Sequence, residues 1–264
     1  MLARLDDSFN HIREFTLHAS HELKTPLTVM RGELENLLVQ DSGTPAQRER
    51  LAGCLDEIQR LAQIVDNLAL LTKADAGLVT LVRENVPLHV LIQEAYDDAE
   101  VLGEDLRLQV ELAACEETHV RGDHHRLRQA LLNLVDNAVK YNEPGGRLTL
   151  DLRRDGEQAR IEITNTGPGI PTDELPRVCD RFHRGATARR THPDGSGLGL
   201  SITQWIVQTH QGTLAIASVP GRLTTVIVTL PCLASSLEGK NNTPESIQQR
   251  RTLPKNGDVF PFQR

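Results

Sequence analysis

Two successive stretches with a mainly apolar sevenfold repeat decide most of what the N-terminal part of this chain can become. In the first, Phe9, Thr16, Leu23, Met30 and Leu37 recur at that interval, and Ile12 and Ala19 fill the intermediate seam positions. Such spacing keeps one narrow stripe on one side of an α-helix, so residues 8–40 are expected to be helical. Beyond Pro26 the seam moves by one residue, to Leu27 and Leu34. Proline lacks an amide donor and clashes with the carbonyl four residues back, which predicts a break or bend there. The segment "DSGTP" at 41–45 reads as a turn, with Ser42 or Thr44 available as a helix cap. Leu51, Cys54, Ile58, Leu61, Val65 and Leu68 then repeat the pattern in a second helix over 46–74. Two such helices form a hairpin whose stripe its own partner cannot fully cover. Two hairpins forming a four-helix bundle cover it, and this predicts a homodimer in preference to packing against the second half of the chain.

The pattern changes near residue 86. "LHVLIQEAYDDAEVLG" (88–103) is helical, "LRLQVEL" (106–112) alternates like a strand, and Asp123 opens a helix over 123–142. "RLTLDLRR" and "ARIEITN" read as strands joined through Asp155-Gly156, a hairpin signal, and "GTLAIAS" and "TTVIVTLP" close the series. The fold class is therefore α+β: a helical hairpin followed by a sandwich of one antiparallel or mixed sheet covered on one face by helices. Boundaries fall at 1–7 (end of a linker), 8–75 (hairpin), 86–231 (sandwich) and 232–264, a polar, aperiodic tail expected to be disordered.

Composition excludes several function classes. A formal net charge of −7 argues against nucleic-acid binding, which needs a basic face; the cluster "RRTLPK" at 250–255 reads as solvated charge. The four cysteines (Cys54, Cys115, Cys179, Cys232) form no CxxC pair, which argues against a zinc site or disulfide framework and fits a reducing compartment. No apolar run is long enough to cross a bilayer and no signal-peptide pattern opens the chain, so a cytoplasmic setting is expected.

Candidate chemistry lies in four places. With the seam at heptad positions a and d, His21 falls at f, the outermost position, with Glu22 beside it and Thr25 one turn beyond. An exposed His-Glu pair alone is ordinary solvated surface. On the helix at 123–142, Leu127, Leu131, Leu134 and Ala138 make the core face, and Asn133, Asn137 and Lys140 share another face, followed by Tyr141. Two amides and an ammonium at successive turns can hold a divalent ion and phosphate oxygens; the plain alternative is polar surface. The glycine runs "NTGPGIP" (165–171) and "DGSGLGLSI" (194–202) allow close backbone approach to a ligand, the second at the start of a helix. The register Gly195, Gly197, Gly199, with no parallel βαβ unit before it, excludes a dinucleotide fingerprint.

Taken together, these stretches resemble the sensor histidine kinases of two-component systems. "SHELKTPLT" is similar to their H-box, "NLVDNAVKY" to the N-box, "NTGPGIP" to the G1 box, "DRFHR" to the F-box and "DGSGLGL" to the G2 box, all in the family's order. The resemblance implies a dimerisation and phosphotransfer hairpin followed by an ATP-binding sandwich of the gyrase type. His21 would be the phosphoacceptor, Glu22 would polarise it or take its proton, and Thr25 would position water for dephosphorylating a partner. Asn137 would be the main Mg2+ ligand with Asn133 as helper, Lys140 would pair with phosphate, and Tyr141 would pack near adenine. Asn165 would meet the adenine amino group, Gly197 and Gly199 would let backbone amides approach the phosphates, Gly167, Gly169, Gly195 and Leu198 would also border the nucleotide, and 183–196 would be a lid over the triphosphate. The implied partner is the receiver domain of a response regulator.

Two residues depart from the family pattern. Asn165 stands where most relatives carry aspartate, so its amide oxygen would accept the adenine amino proton without a charge; some metal-sensing members share this. Cys179 stands in "RVCDRF" where a bulky apolar residue is commoner. The segment "LARLDDSFNHI" resembles the end of a linker, implying either the cytoplasmic part of a membrane kinase or a soluble kinase controlled by another protein, with membrane contact only through a sensor part. The alternatives are a degenerate scaffold that docks a regulator without turnover, and a phosphatase-dominant member working through Thr25.

Overall fold

The computed structural model describes residues 2–39, 44–192, 195–233 and 258–262; the side chains of 2–15, 18, 21 and 258–262 lie outside the described residues. The chain divides into two compact units, Met1–Thr80 and Leu81–Arg264.

The first unit is a pair of helices, α1 (Leu2–Val39) and α2 (Pro45–Asp75), packed on each other. Helix α1 begins at Leu2, so the stretch expected as a linker is helical. The break expected at Pro26 is absent: α1 runs through it as one helix. One missing donor is a local loss, and packing along α2 holds both sides of the gap together. Most of the turn expected at 41–45 lies outside the described residues. Thr44 caps α2 in a full capping box, its side chain accepting from the Gln47 amide while Gln47 answers to the Thr44 amide at 2.8 Å.

The sevenfold pattern resolves into two faces. Leu27, Leu34 and Leu38 of α1 and Leu55, Ile58, Ala62 and Val65 of α2 are half-buried. Leu23, Met30 and Leu37 stay 52%, 47% and 51% exposed, and Cys54 and Leu61 of α2 are exposed as well. Cys54 and Leu61, expected on the seam of the hairpin, therefore lie off it in the single chain.

The second unit is a helix-covered sheet. Its elements are β1 (Glu84–Pro87), α3 (Leu88–Gly103), β2 (Gln109–Cys115), β3 (His119–Gly122), α4 (His124–Lys140), β4 (Arg147–Asp155), β5 (Gln158–Thr166), α5 (Ala186–Thr191), α6 (Gly199–Thr209), β6 (Thr213–Val219), β7 (Leu223–Pro231) and β8 (Asp258–Phe262). The main sheet runs β2-β4-β5-β7-β6-β8, with only β2–β4 parallel, and β1–β3 form a separate ribbon. Gly156, at φ 62°, makes the β4–β5 turn.

Strand alternation sets the core. Leu148, Leu150 and Leu152 of β4, Ala159, Ile161 and Ile163 of β5, and Leu214 and Ile216 of β6 are buried. Facing them are Leu91, Ile92, Ala95 and Ala99 of α3, Leu127, Leu131, Leu134 and Ala138 of α4, and Ile202 and Ile206 of α6. Each fully buried Leu or Ile contributes about 1.5–3 kcal/mol, so the expected core face of α4 orients that helix strongly. Cys179 is buried and acts as a small apolar filler; burial, then the nearby Asp180, push its thiol up to about 12. The tail departs from expectation at 258–262, where "DVFPF" adds β8 to the edge of the sheet. Its β-branched and aromatic residues suit a strand, and Pro261 is tolerated because the strand is at an edge.

Candidate functional site

Helix α4 is fixed at its start by an interlocked cap. Asp123 accepts from the backbone amides of Arg126 and Val82, both at 3.1 Å. Burial opposes its ionisation, but these two amides, with Arg126 and His210 nearby, hold the carboxyl below its usual range. The Asp123 amide in turn donates to His210 Nε2 at 2.9 Å. With the leucine face of α4 turned into the core, its amide-bearing side faces the first turn of α6. Asn133 Nδ2 donates to the Gly199 carbonyl at 3.3 Å, and a Cβ on Gly199 would lie 3.7 Å from Asn137 Nδ2.

The cations converge one turn later. A Cβ placed on Gly195 would stand 3.4 Å from Lys140 Nζ and 3.3 Å from Arg184 Nε. Arg184 also donates to the carbonyls of His192 and Ala188, which ties it to the end of α5. The rings of Tyr141 and His192 meet edge to face, with centroids 5.4 Å apart. Burial pushes the Tyr141 hydroxyl up, against the opposing pull of Arg184. Burial, then Lys140, hold the His192 imidazole below its usual value, with the Arg184 charge adding to this. The result is a glycine-lined corner with two fixed positive charges and a histidine biased to the neutral form.

The other wall comes from the end of β5. Asn165 is buried and donates through Nδ2 to the carbonyls of Tyr141 (3.2 Å) and Thr166 (2.7 Å). Two carbonyls require the amide nitrogen on their side, which leaves Oδ1 as the remaining acceptor. Gly167 adopts φ 139°, and any Cβ there would collide with the Tyr141 carbonyl. Gly169, at φ 64°, would bring a Cβ to 2.6 Å from the Val219 carbonyl. Both positions require glycine. The 167–170 loop is gripped by the β6–β7 turn: Gly167 N–H donates to Arg222 O, Gly221 N–H to Pro168 O at 2.7 Å, and Ile170 N–H to Ser218 Oγ at 2.8 Å.

The structure thus brings Asn133, Asn137, Lys140, Gly195 and Gly199 to one side, and Tyr141, Asn165 and Gly167 to the other. Two expected residues serve differently. Gly197, at φ 70°, lies against the backbone of Phe182 and His183, and its carbonyl accepts from the Phe182 amide at 3.0 Å. Leu198 is fully buried, so its side chain belongs to the core and only its backbone borders the site. Arg184 and His192 are the residues that the linear reading did not single out. Arg184 closes the "DRFHR" motif, and that position was the available signal. Of the segment 183–196, residues Ala186–Thr191 form α5, while Pro193 and Asp194 lie outside the described residues.

In the first unit, His21 lies within α1 as expected, but its side chain, and hence the outward position read for it, lies outside the described residues. Glu22 and Thr25 are exposed. Lys24 reaches across to Asp66 of α2 at 2.8 Å, an exposed pair that fixes register more than it stabilises.

Comparison with known proteins decides the family. Residues 11–77 match the model of the His Kinase A (phospho-acceptor) domain, and residues 122–234 match the Histidine kinase-, DNA gyrase B-, and HSP90-like ATPase model. The chain belongs to the sensor histidine kinases. Over 231 residues this kinase chain is 31% identical to the sensor histidine kinase CusS of Escherichia coli O157:H7, covering 88% of the chain and 48% of that protein. Over 234 residues it is 32% identical to the signal transduction histidine-protein kinase ArlS of Staphylococcus epidermidis, covering 88% and 51%. The chain spans about half the length of the curated relatives it matches. Near-equal identity to both does not single out a metal-sensing subgroup. The kinase fold is shared with full-length ShkA, solved in complex with AMPPNP, at a TM-score of 0.70 and 24% identity, covering 83% of this chain and 46% of that one.

Proposed function

We propose that this chain is the core of an ATP-dependent protein-histidine kinase that phosphorylates His21 and passes the phosphoryl group to an aspartate on the receiver domain of a response regulator. One observation carries the reading: the α4 amides and two cations converge on the Gly195–Gly199 loop, in a chain whose other unit matches a phospho-acceptor hairpin. Family membership and the matched ATPase model support it.

Lys140 and Arg184 receive the triphosphate as fixed charges, and the glycine backbone lets the phosphates approach without a side chain between. Asn165 Oδ1 accepts from the adenine amino group, and Tyr141 lines that side. A neutral ring nitrogen of His21 attacks the γ-phosphorus, the bond from that phosphorus to the bridging oxygen breaks, and ADP leaves. Glu22 takes the proton from the other ring nitrogen. The receiver aspartate then attacks the phosphohistidine phosphorus and frees the imidazole, and Thr25 orients water where the partner is dephosphorylated.

Asn133 and Asn137 offer neutral amide oxygens, and among the described residues no cluster of three or more acidic, His or Cys groups is built to hold a metal. That donor set fits Mg2+, which keeps phosphate oxygens and water as ligands instead of demanding an all-protein cage. Bound there, the ion offsets the negative charge of the triphosphate. The exposed stripe Leu23, Met30, Leu37 and Leu61 supports a homodimeric four-helix bundle. Among the described residues no helix is long and apolar enough to cross a membrane, and we place the reaction in the cytoplasm. Incubation with γ-labelled ATP and Mg2+ tests the reading: an acid-labile phosphoprotein is expected, and it disappears in His21→Gln. Undiminished label on that variant, or none on the wild type, overturns it.

A further inference from the structure

The C-terminal strand β8 pairs with the outer edge of β6 in a fixed antiparallel register, from Ser218 opposite Asp258 to Leu214 opposite Phe262. The end of β6 at Ser218 is also the end that serves the nucleotide side. Ser218 is buried, and its hydroxyl accepts from the Ile170 amide at 2.8 Å, donates to the Leu223 carbonyl at 3.0 Å and meets Thr224 Oγ1 at 2.9 Å. The next residues, Val219 to Arg222, hold Gly167 and Gly169 through the contacts described above. Without β8, β6 would be the edge of the sheet, and its outward amides and carbonyls would be free to fray next to that grip.

We propose that Asp258–Phe262 is a peptide docked in cis which, by pairing with β6, braces the Ser218 end of that strand and thereby tightens nucleotide binding by the 167–170 loop. This rests on the nucleotide site proposed above. The occupant is the chain's own tail. Residues 234–257 join it covalently to β7, and such attachment supplies an effective concentration on the order of millimolar, which a five-residue strand would otherwise lack. Pro261 gives the docked strand a position without an amide donor, which limits further strand addition at the new edge. Coupling is reciprocal: nucleotide that orders 167–170 also strengthens the docking of β8.

The test compares the full chain, a chain ending at Leu233, and the full-length variant Val259→Pro, which spoils the strand without shortening the protein. Two readouts are taken on each: amide exchange at 214–218 without nucleotide, and calorimetric affinity for an ATP analogue with Mg2+. Exchange at 214–218 is expected to speed up by about tenfold in both altered proteins, and analogue affinity to fall by about fivefold or more. Millimolar peptide spanning 256–264 added to the truncated chain should restore both. Unchanged exchange at 214–218 in both altered proteins overturns docking, and accelerated exchange with unchanged affinity overturns the coupling. If the full chain itself binds no analogue, the nucleotide reading fails, and the coupling falls with it, while the exchange data still decide whether β8 docks.

Discussion

Asn165 on β5 holds the end of α4 by donating its side-chain amide to the Tyr141 carbonyl at 3.2 Å, while the same nitrogen reaches the Thr166 carbonyl at 2.7 Å. A carboxylate in this place has no proton to give. Asn165→Asp would set a charged oxygen against two carbonyls in a buried position, and should lose about 1–3 kcal/mol of stability at neutral pH. The introduced group would have a raised pKa in the folded state, so the folded variant binds a proton more readily than the unfolded one. Its deficit therefore shrinks as pH falls, because a protonated carboxyl can donate again. Denaturant melts of variant and wild type at neutral and mildly acid pH measure the difference, and a constant gap refutes the account.

His210 should make the second unit acid-sensitive. Nδ1 lies 2.7 Å from the Ile206 carbonyl and Nε2 accepts the Asp123 amide, so the ring must be neutral with its proton on Nδ1. Burial holds its pKa below the usual value, with Arg83 contributing, against the opposing pulls of the Ile206 carbonyl and Asp123. The unfolded chain binds the proton more readily. The contribution is therefore complete above about pH 6.5 and is lost as pH falls towards the lower folded value. The slope of stability against pH between neutrality and pH 5 should flatten in His210→Gln.

Glycines of the same backbone sign should differ sharply. Gly167→Ala meets the Tyr141 carbonyl and is expected to cost more than about 2 kcal/mol and to abolish nucleotide binding. Gly156 has φ 62° with open space around it. Because asparagine tolerates that conformation, Gly156→Asn should stay within about 0.5 kcal/mol of wild type. Thermal melts and analogue titration of the two variants compare them directly.

Met30→Glu places a charge in the exposed stripe of α1, which is 47% exposed at this residue in the single chain. Self-association measured by light scattering should weaken at least about tenfold, since a buried unpaired charge costs several kcal/mol. The isolated second unit does not contain this residue, so the analogue affinity of the variant should match wild type. Equal association in wild type and variant would remove the stripe as the dimer surface.

Lys140→Met tests the phosphate corner. Losing one of two charges aimed at Gly195 should reduce analogue affinity by about tenfold and lessen its dependence on salt, with little change in melting.

Local signals carried far in this chain where local physics decides. Asp123 as a cap, Asp155-Gly156 as a turn and the leucine face of α4 were all legible, because each rests on a few neighbouring residues. Pro26 does not end the helix because its cost is a single donor, whereas α2 supports the helix over many turns. Cys54 and Leu61 lie off the seam of the single hairpin because a sevenfold repeat marks an apolar side without saying which partner covers it. β1 and β3 are four residues each, too short to alternate, and β8 is set in a polar tail. Of the site, the boxes named Asn133, Asn137, Lys140 and Asn165, but not Arg184 or His192. Their nearness to Lys140 and Tyr141 exists only after α5 has folded back across the end of α4.

The grip of the β6–β7 turn on residues 167–170 has a consequence for how the protein is made. During synthesis these residues leave the ribosome well before Ser218, Gly221 and Arg222 do, and until those arrive the loop has nothing to close against. Pairing of β5 with β7 is likewise a long-range step, and such steps are slow. A nascent chain therefore carries its finished helical hairpin for an interval in which the 167–170 loop is still open.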